Sequence, residues 1–307
     1  MNIFEHFKVN KSHYDAKFQF DEFYFSEKRS SINDIWLVIQ KLIPRKCGIE
    51  LIRLGGSGDG GYLVPNDLDG IEALFSPGVN NFKNFEDYLC NEYRIKSFMC
   101  DFTSDIGKFK TPMIEGMQFF EKKWLDTNGD KDSISLNNWV ELNTSETDDL
   151  ILQMDIEGAE YRNLLHASQD ILKKFRIIIV ELHGLRHLWK DGFLNGILSP
   201  IVNKLSENFI CVHAHPNNCC GVSKFENIVV PNVMELTFLR NDRIGHEIIP
   251  IQIPNKQDKS NVPSKPPIYL TGEWLMNSDI NESEKNMLKD KISWLEMENI
   301  RLINKMR

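Results

Sequence analysis

Residues 149–160 read DLILQMDIEGAE, an apolar run that ends in three carboxylates within six residues. A second apolar run, RIIIVELH at 176–183, follows it after a stretch with helical periodicity. Continuously apolar runs of this length are typical of strands buried on both faces, so 176–183 is expected to be central in its sheet. Two such strands joined by a helix indicate a parallel pair and an α/β fold.

The same alternation of strands and helices continues on both sides of this pair. Further strands are predicted at IELIRL (49–54), IEALFS (71–76), IKSFMCD (95–101), FICVHAH (209–215) and VMELTFLR (233–240). Helices are predicted at 31–43, 84–93, 160–175 and 194–209. The last two strands are joined by a segment rich in Pro, Asn and Gly and are expected to form an antiparallel hairpin at one edge. The pattern therefore predicts a mostly parallel sheet with helices on both faces.

Three segments lie outside this alternation, one of them at the C-terminus. The first 30 residues are rich in aromatic side chains and are interpreted as an arm that packs onto another surface. Residues 250–272 are rich in proline and are expected to form an extended linker or a strap across the surface. We therefore divide the chain into an N-terminal arm and helix (1–48), a core (49–275) and a C-terminal helix (276–307).

The C-terminal segment carries a heptad pattern. Alternating steps of four and three residues separate Leu288, Ile292, Leu295, Asn299, Leu302 and Met306. This spacing is typical of a coiled-coil seam, in which a buried Asn at an a position such as 299 selects one paired register. The pattern predicts a homodimer that pairs through this helix; a terminal helix packed on its own domain is the alternative.

The composition excludes several classes of partner. The 307 residues carry 36 Lys and Arg against 44 Asp and Glu, a net charge of −8, so the chain has no net basic footprint for nucleic acid. No apolar run reaches the roughly 18 residues of a membrane span, and the N-terminus lacks the apolar region of a signal peptide. The six cysteines follow no regular spacing and are interpreted as reduced thiols. We therefore expect a cytoplasmic globular protein.

Acidic and imidazole side chains gather where three predicted strands end. They are Asp155 and Glu157 after the first strand, Glu181 and His183 at the end of the second, and His213 and His215 at the end of the third. In an open α/β sheet, ligands bind beyond the carboxyl ends of the strands. One acid can cap the following helix, and a lone histidine is more often structural, but this convergence predicts an active site.

A turn of small residues, Ser76-Pro77-Gly78, follows the strand at 71–76 and allows a ligand to approach the backbone closely. The next strand ends in Asp101, 23 residues beyond Gly78. An acid at this spacing can accept hydrogen bonds from the two ribose hydroxyls of a nucleotide cofactor. An ordinary turn and an exposed acid are the alternative, but the carboxylates at the neighbouring strand ends favour a ligand site.

Several motifs carry a family resemblance: MDIEGAE (154–160), IIIVELH (177–183), SLNNWVEL (135–142) and RLGGSGDGGYLVP (53–65). With them, residues from about 50 to 275 resemble the FkbM family of S-adenosylmethionine-dependent methyltransferases, in particular a subgroup associated with bacterial capsule and glycan biosynthesis. The resemblance implies a class I methyltransferase fold. That fold is a Rossmann-like sheet of seven mostly parallel strands with helices on both faces, whose last strand is antiparallel.

The resemblance also implies S-adenosylmethionine as cofactor and names its contacts. Asp101 is expected to hold the ribose, and Asp155 to border the cofactor. Ser76 and Gly78 would form the turn beneath the cofactor. The family has D-x-G-A-N at this turn, whereas this chain has no acid in place of that Asp, so no residue is assigned to the contact that the Asp makes. The loop 55–62 holds five glycines in its first seven residues, more than a tight turn requires. Gly56, Ser57 and Tyr62 in that loop are expected to receive the methionine carboxylate, and Asp59 to lie near the ammonium group.

The implied reaction is O-methylation of a sugar hydroxyl, on a nucleotide-linked sugar such as a heptose for capsular polysaccharide. The hydroxyl must lose a proton as it attacks, which requires a general base. His183 is the first choice, with Asp155 as its partner or alternate, and Glu157 and His215 complete the predicted catalytic set. Alternatively, Mg²⁺ or Mn²⁺ bound by Asp155, Glu181 and His183 would acidify the acceptor.

Two other classes of function stay open. An NAD(P)-dependent sugar-nucleotide oxidoreductase would use the same kind of sheet, although no G-x-G-x-x-G follows any predicted strand. A non-catalytic assembly module would explain the C-terminal helix but not the carboxylates. A P-loop NTPase is excluded because no G-K-[ST] follows the glycines.

Overall fold

The computed structural model describes residues 28–145, 149–225, 228–247, 249, 251–270, 272–275 and 280–306. The aromatic arm predicted for the first 30 residues lies almost entirely outside them. Within these ranges the strands are β1 (Leu51–Gly55), β2 (Gly61–Pro65), β3 (Ile71–Pro77), β4 (Lys96–Cys100), β5 (Gln118–Glu121), β6 (Trp124–Leu125), β7 (Ser133–Ile134), β8 (Asp149–Met154), β9 (Phe175–His183), β10 (Phe209–Pro216), β11 (Val222–Phe225), β12 (Ile228–Pro231) and β13 (Val233–Arg240).

Seven of these strands form one sheet, in the order β10-β13-β9-β8-β3-β4-β5. The pairs from β9 to β5 are parallel, whereas β13 runs antiparallel to both of its neighbours, β9 and β10. The predicted hairpin of the last two strands at an edge is therefore confirmed. So is the predicted fold class: an α/β, Rossmann-like sheet of seven mostly parallel strands, with one antiparallel strand.

The membership of the sheet differs from the prediction at one strand. The segment predicted at 49–54 forms β1, which within the described ranges pairs with β2 alone, in a separate antiparallel hairpin. Gly55 and Gly60 adopt positive φ angles of 81° and 74°, and the chain therefore reverses at once and β1 finds its partner locally. The seventh strand of the sheet is instead β5, a four-residue edge strand too short to show a periodic pattern.

The helices are α1 (Ile32–Leu42), α2 (Asn84–Tyr93), α3 (Leu136–Asn143), α4 (Glu160–His166), α5 (Gln169–Lys174), α6 (Ser199–Ser206) and α7 (Ile280–Met306). A π-helical turn, Leu194–Leu198, leads directly into α6. The single helix predicted over 160–175 is two helices, because Ala167 is extended and Ser168 caps α5 by accepting a hydrogen bond from the backbone N–H of Ile171.

The hydrophobic core lies on both faces of the sheet. Eight of the nine residues of β9 are buried, as expected for a central strand. The Phe75 ring of β3 packs edge-on against Trp139 of α3, with ring centroids 5.0 Å apart. Helix α1 buries Ile35 and Ile39 in the same core, so it packs directly on the sheet domain.

The proline-rich segment 251–270 crosses the β1–β2 hairpin and the end of β10 without regular secondary structure, as a strap. The Gln257 side chain donates to the carbonyl of Leu51 at 2.9 Å, and the Asn218 side chain donates to carbonyls of Val262 and Lys265. Beyond it, α7 is long but polar. Among the described residues, no helix is long and apolar enough to cross a membrane.

Candidate active site

Two turns meet at the middle of the sheet, after β3 and after β8. Gly78 has a φ of 88°, and a Cβ atom built on it would lie 1.9 Å from the carbonyl oxygen of Asp155. Only glycine allows this approach, because a side chain would collide with backbone. The carboxyl ends of β3 and β8 are thus held together at the place where ligands bind in open α/β sheets.

A cavity of about 640 Å³ opens above these turns. This volume is in the range of small-molecule and cofactor sites. Its wall includes residues from the hairpin turn, the β3, β4 and β8 turns and the start of β6, among them Asp59, Tyr62, Gly78, Asp101, Trp124, Asp155 and Glu157. Of the predicted cofactor residues, Gly56, Ser57 and Ser76 do not belong to this wall. The glycine-rich stretch is mainly a hairpin turn, with Arg53 donating to the carbonyls of Gly56 and Gly58 at 3.1 and 2.7 Å.

Asp101 lines the cavity but is already well supplied with hydrogen bonds. Its Oδ1 accepts from the hydroxyl and the N–H of Thr103, and its Oδ2 accepts from the hydroxyl of Ser104 and the N–H of Asn80. Two of these donors are hydroxyl groups that can rotate away. A ribose diol can therefore bind Asp101 only by replacing the Thr103 and Ser104 hydroxyls as donors.

Four ionisable side chains lie side by side across four strands. The register pairs His215 with Glu235 and Glu235 with Glu181, and the parallel pairing of β8 with β9 places Asp155 next to Glu181. Side chains at laterally paired positions point to the same face, with strands about 4.8 Å apart. The predicted convergence of strand ends is thus a continuous polar row. Asp155 lines the cavity at one end of the row, and His215 stands at the other.

His183 is oriented by Glu160, the last carboxylate of the motif MDIEGAE. Its Nδ1 lies 3.1 Å from Oε1 of Glu160, which also accepts the backbone N–H of Ile156 at 3.0 Å. Because that oxygen is an acceptor, Nδ1 carries the proton. The Nε2 atom then faces three acids, at 3.4 Å from Glu157, 3.5 Å from Glu181 and 3.8 Å from Asp155.

Burial controls protonation in this cluster. It raises the pKa of Asp155 to about 7, with His183 opposing the shift. It also raises the pKa of Glu181 well above its ordinary value, to which the charge of Asp155 adds. Burial lowers the pKa of His183, but Glu160, Glu181 and Asp155 outweigh it and hold that pKa well above 6.5. At neutral pH the cluster therefore keeps an imidazolium and at least one protonated carboxyl.

The predicted metal ligands fit a divalent cation. Ligand atoms of Asp155, Glu181 and His183 all lie within 4.8 Å of one another. Oδ1 of Asp155 and Oε2 of Glu181 are buried and have no hydrogen-bond partner among the described residues. Two carboxylates and an imidazole suit Mn²⁺ and, less closely, Mg²⁺. The Glu160–His183 contact is the kind of carboxylate–imidazole pair that orients histidine ligands in metal sites.

The strap covers the His215 end of the row. Asp258 lies with one oxygen 2.9 Å from Nε2 of His213 and the other 3.7 Å from Nδ1 of His215. Burial lowers the pKa of His215, but the charge of Asp258 exceeds this effect and raises it to about 9. Asn261 donates to both Glu235 and Asp59 and so connects the row to the hairpin turn.

Several residues of the site were not predicted. Glu235 left a signal, since a charged residue inside the apolar run VMELTFLR has to face something polar. Asp258 and Asn261 left none, because they reach the site from a segment without periodicity. Lys123 and Trp124 also line the cavity, and they follow the edge strand β5 that the pattern did not reveal.

No protein-family model and no curated protein matches the chain. Among solved structures, it is similar to a crystal structure of precorrin-6y C5,15-methyltransferase from Geobacter metallireducens GS-15. The TM-score is 0.32 and the sequence identity 9%, over 71% of this chain and 95% of that chain. This likeness is too distant to bear on activity, and the fold assignment above rests on the strand order.

Proposed function

We propose that the protein is an S-adenosylmethionine-dependent O-methyltransferase acting on a sugar hydroxyl. The observation that carries the proposal is the contact between the two turns after β3 and β8. It places a nucleotide-sized cavity, lined by Asp101 and the Gly78 turn, directly beside the cluster of Asp155, Glu181 and His183. A cofactor in the cavity and an acceptor at the cluster would thus be neighbours, as an in-line transfer requires.

The proposed cofactor contacts follow the cavity wall. Asp101 would bind the ribose hydroxyls in exchange for the hydroxyls of Thr103 and Ser104. The Gly78 turn leaves room for the ligand beside the backbone, and Trp124 offers an aromatic surface for the base. Bound S-adenosylmethionine supplies the electrophilic methyl group.

Asp155 is our assignment for the proton acceptor, in preference to His183. A base works best when its pKa is close to the working pH, and burial brings Asp155 to about 7. His183 is protonated at that pH, so it serves as a cation that stabilises the ionised Asp155. Glu157, more than half exposed at the cavity wall, is placed to pass the proton to water.

As an alternative to Asp155 acting as the base, we propose that Mg²⁺ or Mn²⁺ binds Asp155, Glu181 and His183 and replaces the protons that these residues share. A cation there would supply Lewis acidity to the acceptor hydroxyl. Chelation then abolishes most of the activity, and Mn²⁺ restores it. Full activity in EDTA would leave Asp155 as the base and remove the metal from the proposal.

The acceptor we propose is a nucleotide-linked sugar, such as a heptose, in the cytoplasmic synthesis of a bacterial capsular polysaccharide. In the polar row beyond Asp155, Oε2 of Glu181 and the ring nitrogens of His215 have no hydrogen-bond partner among the described residues and are available for sugar hydroxyls. The test is to incubate the protein with S-adenosylmethionine and a panel of nucleotide sugars and to follow methylated products by mass spectrometry. Transfer to one sugar supports the proposal, and transfer to none contradicts the acceptor class.

We also propose a homodimer that pairs through α7. The heptad positions Leu288, Ile292, Leu295 and Leu302 are between 46% and 60% exposed in the single chain. A second copy of the same helix would cover this seam, with Asn299 facing its counterpart.

A further inference from the structure

A buried carboxylate, Glu86, lies beneath the Gly78 turn. It belongs to the first turn of α2, is 3% exposed and contributes to the wall of the cavity. One of its oxygens receives a hydrogen bond from the hydroxyl of Ser76, the second-last residue of β3. Glu86 therefore occupies the floor of the proposed cofactor site.

Glu86 has no cationic partner among the described residues. The closest candidate, Lys83, is engaged elsewhere: its ammonium group forms an ion pair with Asp87 and donates to the Pro112 carbonyl and the Gln118 side chain. All three of its donors are used. A buried carboxylate without a cation is costly unless it is neutralised, so this position suits a positively charged ligand.

The hydrogen-bond network around Glu86 also has one donor hydrogen fewer than its acceptors require. The Ser76 hydroxyl lies within hydrogen-bond distance of two acceptors, the Glu86 carboxylate and Oε1 of Gln153, but carries one hydrogen. The amide of Gln153 points its donor to the hydroxyl of Tyr62 at 3.0 Å. An ammonium group in the cavity would supply the missing donor and let Ser76 satisfy Gln153.

We propose that Glu86 binds the α-ammonium group of the cofactor's methionine moiety. This inference rests on the proposed function, which supplies a ligand with such a group. The resemblance placed Asp59 near the ammonium, but Asp59 is exposed and its carboxylate receives a hydrogen bond from Asn261. Charge pairing is stronger at a buried site than at an exposed one, so Glu86 is the principal partner.

The experiment compares two ligands by calorimetry. S-adenosylhomocysteine carries the amino-acid moiety, whereas 5′-deoxy-5′-methylthioadenosine lacks it. In Glu86→Gln, the affinity for S-adenosylhomocysteine should fall by about 10- to 100-fold, as expected for loss of a charged hydrogen bond. The affinity for methylthioadenosine should stay at the wild-type value. Glu92→Gln, an exposed residue of the same helix, is the matched control and should change neither.

The outcomes separate this inference from the proposed function. If the wild type binds S-adenosylhomocysteine and Glu86→Gln binds it equally well, or loses both ligands to the same degree, the assignment of Glu86 is overturned. If the wild type binds neither ligand, the proposed function is overturned and the assignment with it. Methylthioadenosine binding also reports whether Glu86→Gln is folded. Should it be unfolded, Glu86→Asp, which keeps the charge, must retain a preference for S-adenosylhomocysteine over methylthioadenosine.

Discussion

His183 and Glu160 form a buried pair in which Nδ1 of the imidazole lies 3.1 Å from a carboxylate oxygen, so that Nε2 faces the other acids of the cluster. Glu160 itself is fully buried. Both residues come from motifs at the ends of adjacent strands, β8 and β9. The pair fixes the direction in which the imidazole presents its second nitrogen.

Replacing the orienting carboxylate, Glu160→Gln, should lower kcat by about 10- to 100-fold while leaving the affinity for S-adenosylhomocysteine unchanged. Because Glu160 helps to raise the pKa of His183, the variant should also titrate His183 at a lower pH, which NMR can follow. Glu141→Gln, on the exposed side of α3, is the control. A wild-type kcat together with an unshifted His183 titration would refute the positioning role.

Binding of Mn²⁺ should become tighter as the pH rises through about 7. The cation competes with protons, and Asp155, whose pKa burial raises to about 7, must be ionised to bind it. Calorimetry between pH 6 and pH 8 measures the affinity for Mn²⁺. Asp155→Asn should abolish Mn²⁺ binding. Affinity that is independent of pH, or retained in Asp155→Asn, would place the cation elsewhere.

Gly78→Ala should destabilise the fold more than a positive φ angle alone explains. A left-handed conformation costs alanine about 1–2 kcal/mol. Gly116→Ala measures that cost by itself, because Gly116 has a φ of 71° and a Cβ there would lie within 4 Å of no atom of the described residues apart from its chain neighbours. At Gly78 the Cβ would also collide with the Asp155 carbonyl, so we expect about 3 kcal/mol or more. Equal losses of unfolding free energy in urea would show that the two turns do not touch.

Asp258→Asn should lower the free energy of unfolding at pH 7 by about 3 kcal/mol, because it removes the buried carboxylate that pairs with the protonated His215 and forms a hydrogen bond with His213. The histidines lower the pKa of Asp258 against the effect of burial. A carboxyl group with a lowered folded-state pKa stabilises the protein above its unfolded pKa of about 4 and loses this contribution at lower pH. Wild type and variant should therefore converge as the pH falls from 4 towards 2. A difference that stays the same between pH 4 and pH 2 would contradict this origin.

Leu295→Asp should convert the proposed homodimer to a monomer, since it places a charge in the α7 seam. Light scattering after size-exclusion chromatography gives the mass, and circular dichroism checks that the sheet domain is intact. Glu296→Lys, next to it and outside the seam, is the control. A wild-type monomer at all concentrations tested would exclude pairing through α7.

The sequence revealed the parts of this fold that repeat a local pattern. The runs at 149–155 and 176–183 are long and apolar because both faces of β8 and β9 are buried. The apolar run alone is therefore enough to predict each strand. The strand β5 is four residues long and half-buried, so it leaves no such pattern. The 49–54 run contains Glu50 and Arg53 and is mostly half-buried, and the glycines after it give it a local partner in β2.

The site divides in the same way. Asp155 and His183 could be predicted because they stand at the carboxyl ends of two strands, and these ends must meet at one edge of the sheet. Glu86 and Asp258 could not, since their importance depends on contacts with residues 10 and 45 positions away, Ser76 and His213. Such contacts form only when the chain is folded, and neither residue type nor sequence spacing predicts them.

Calorimetric titration of the wild-type protein with S-adenosylhomocysteine tests the central proposal most directly. The cavity beside Asp155 predicts one binding site per chain with a micromolar dissociation constant, a free energy of about −8 kcal/mol. Asp101→Ala should weaken that binding. The absence of heat at millimolar ligand, with the protein folded by circular dichroism, would contradict the methyltransferase proposal.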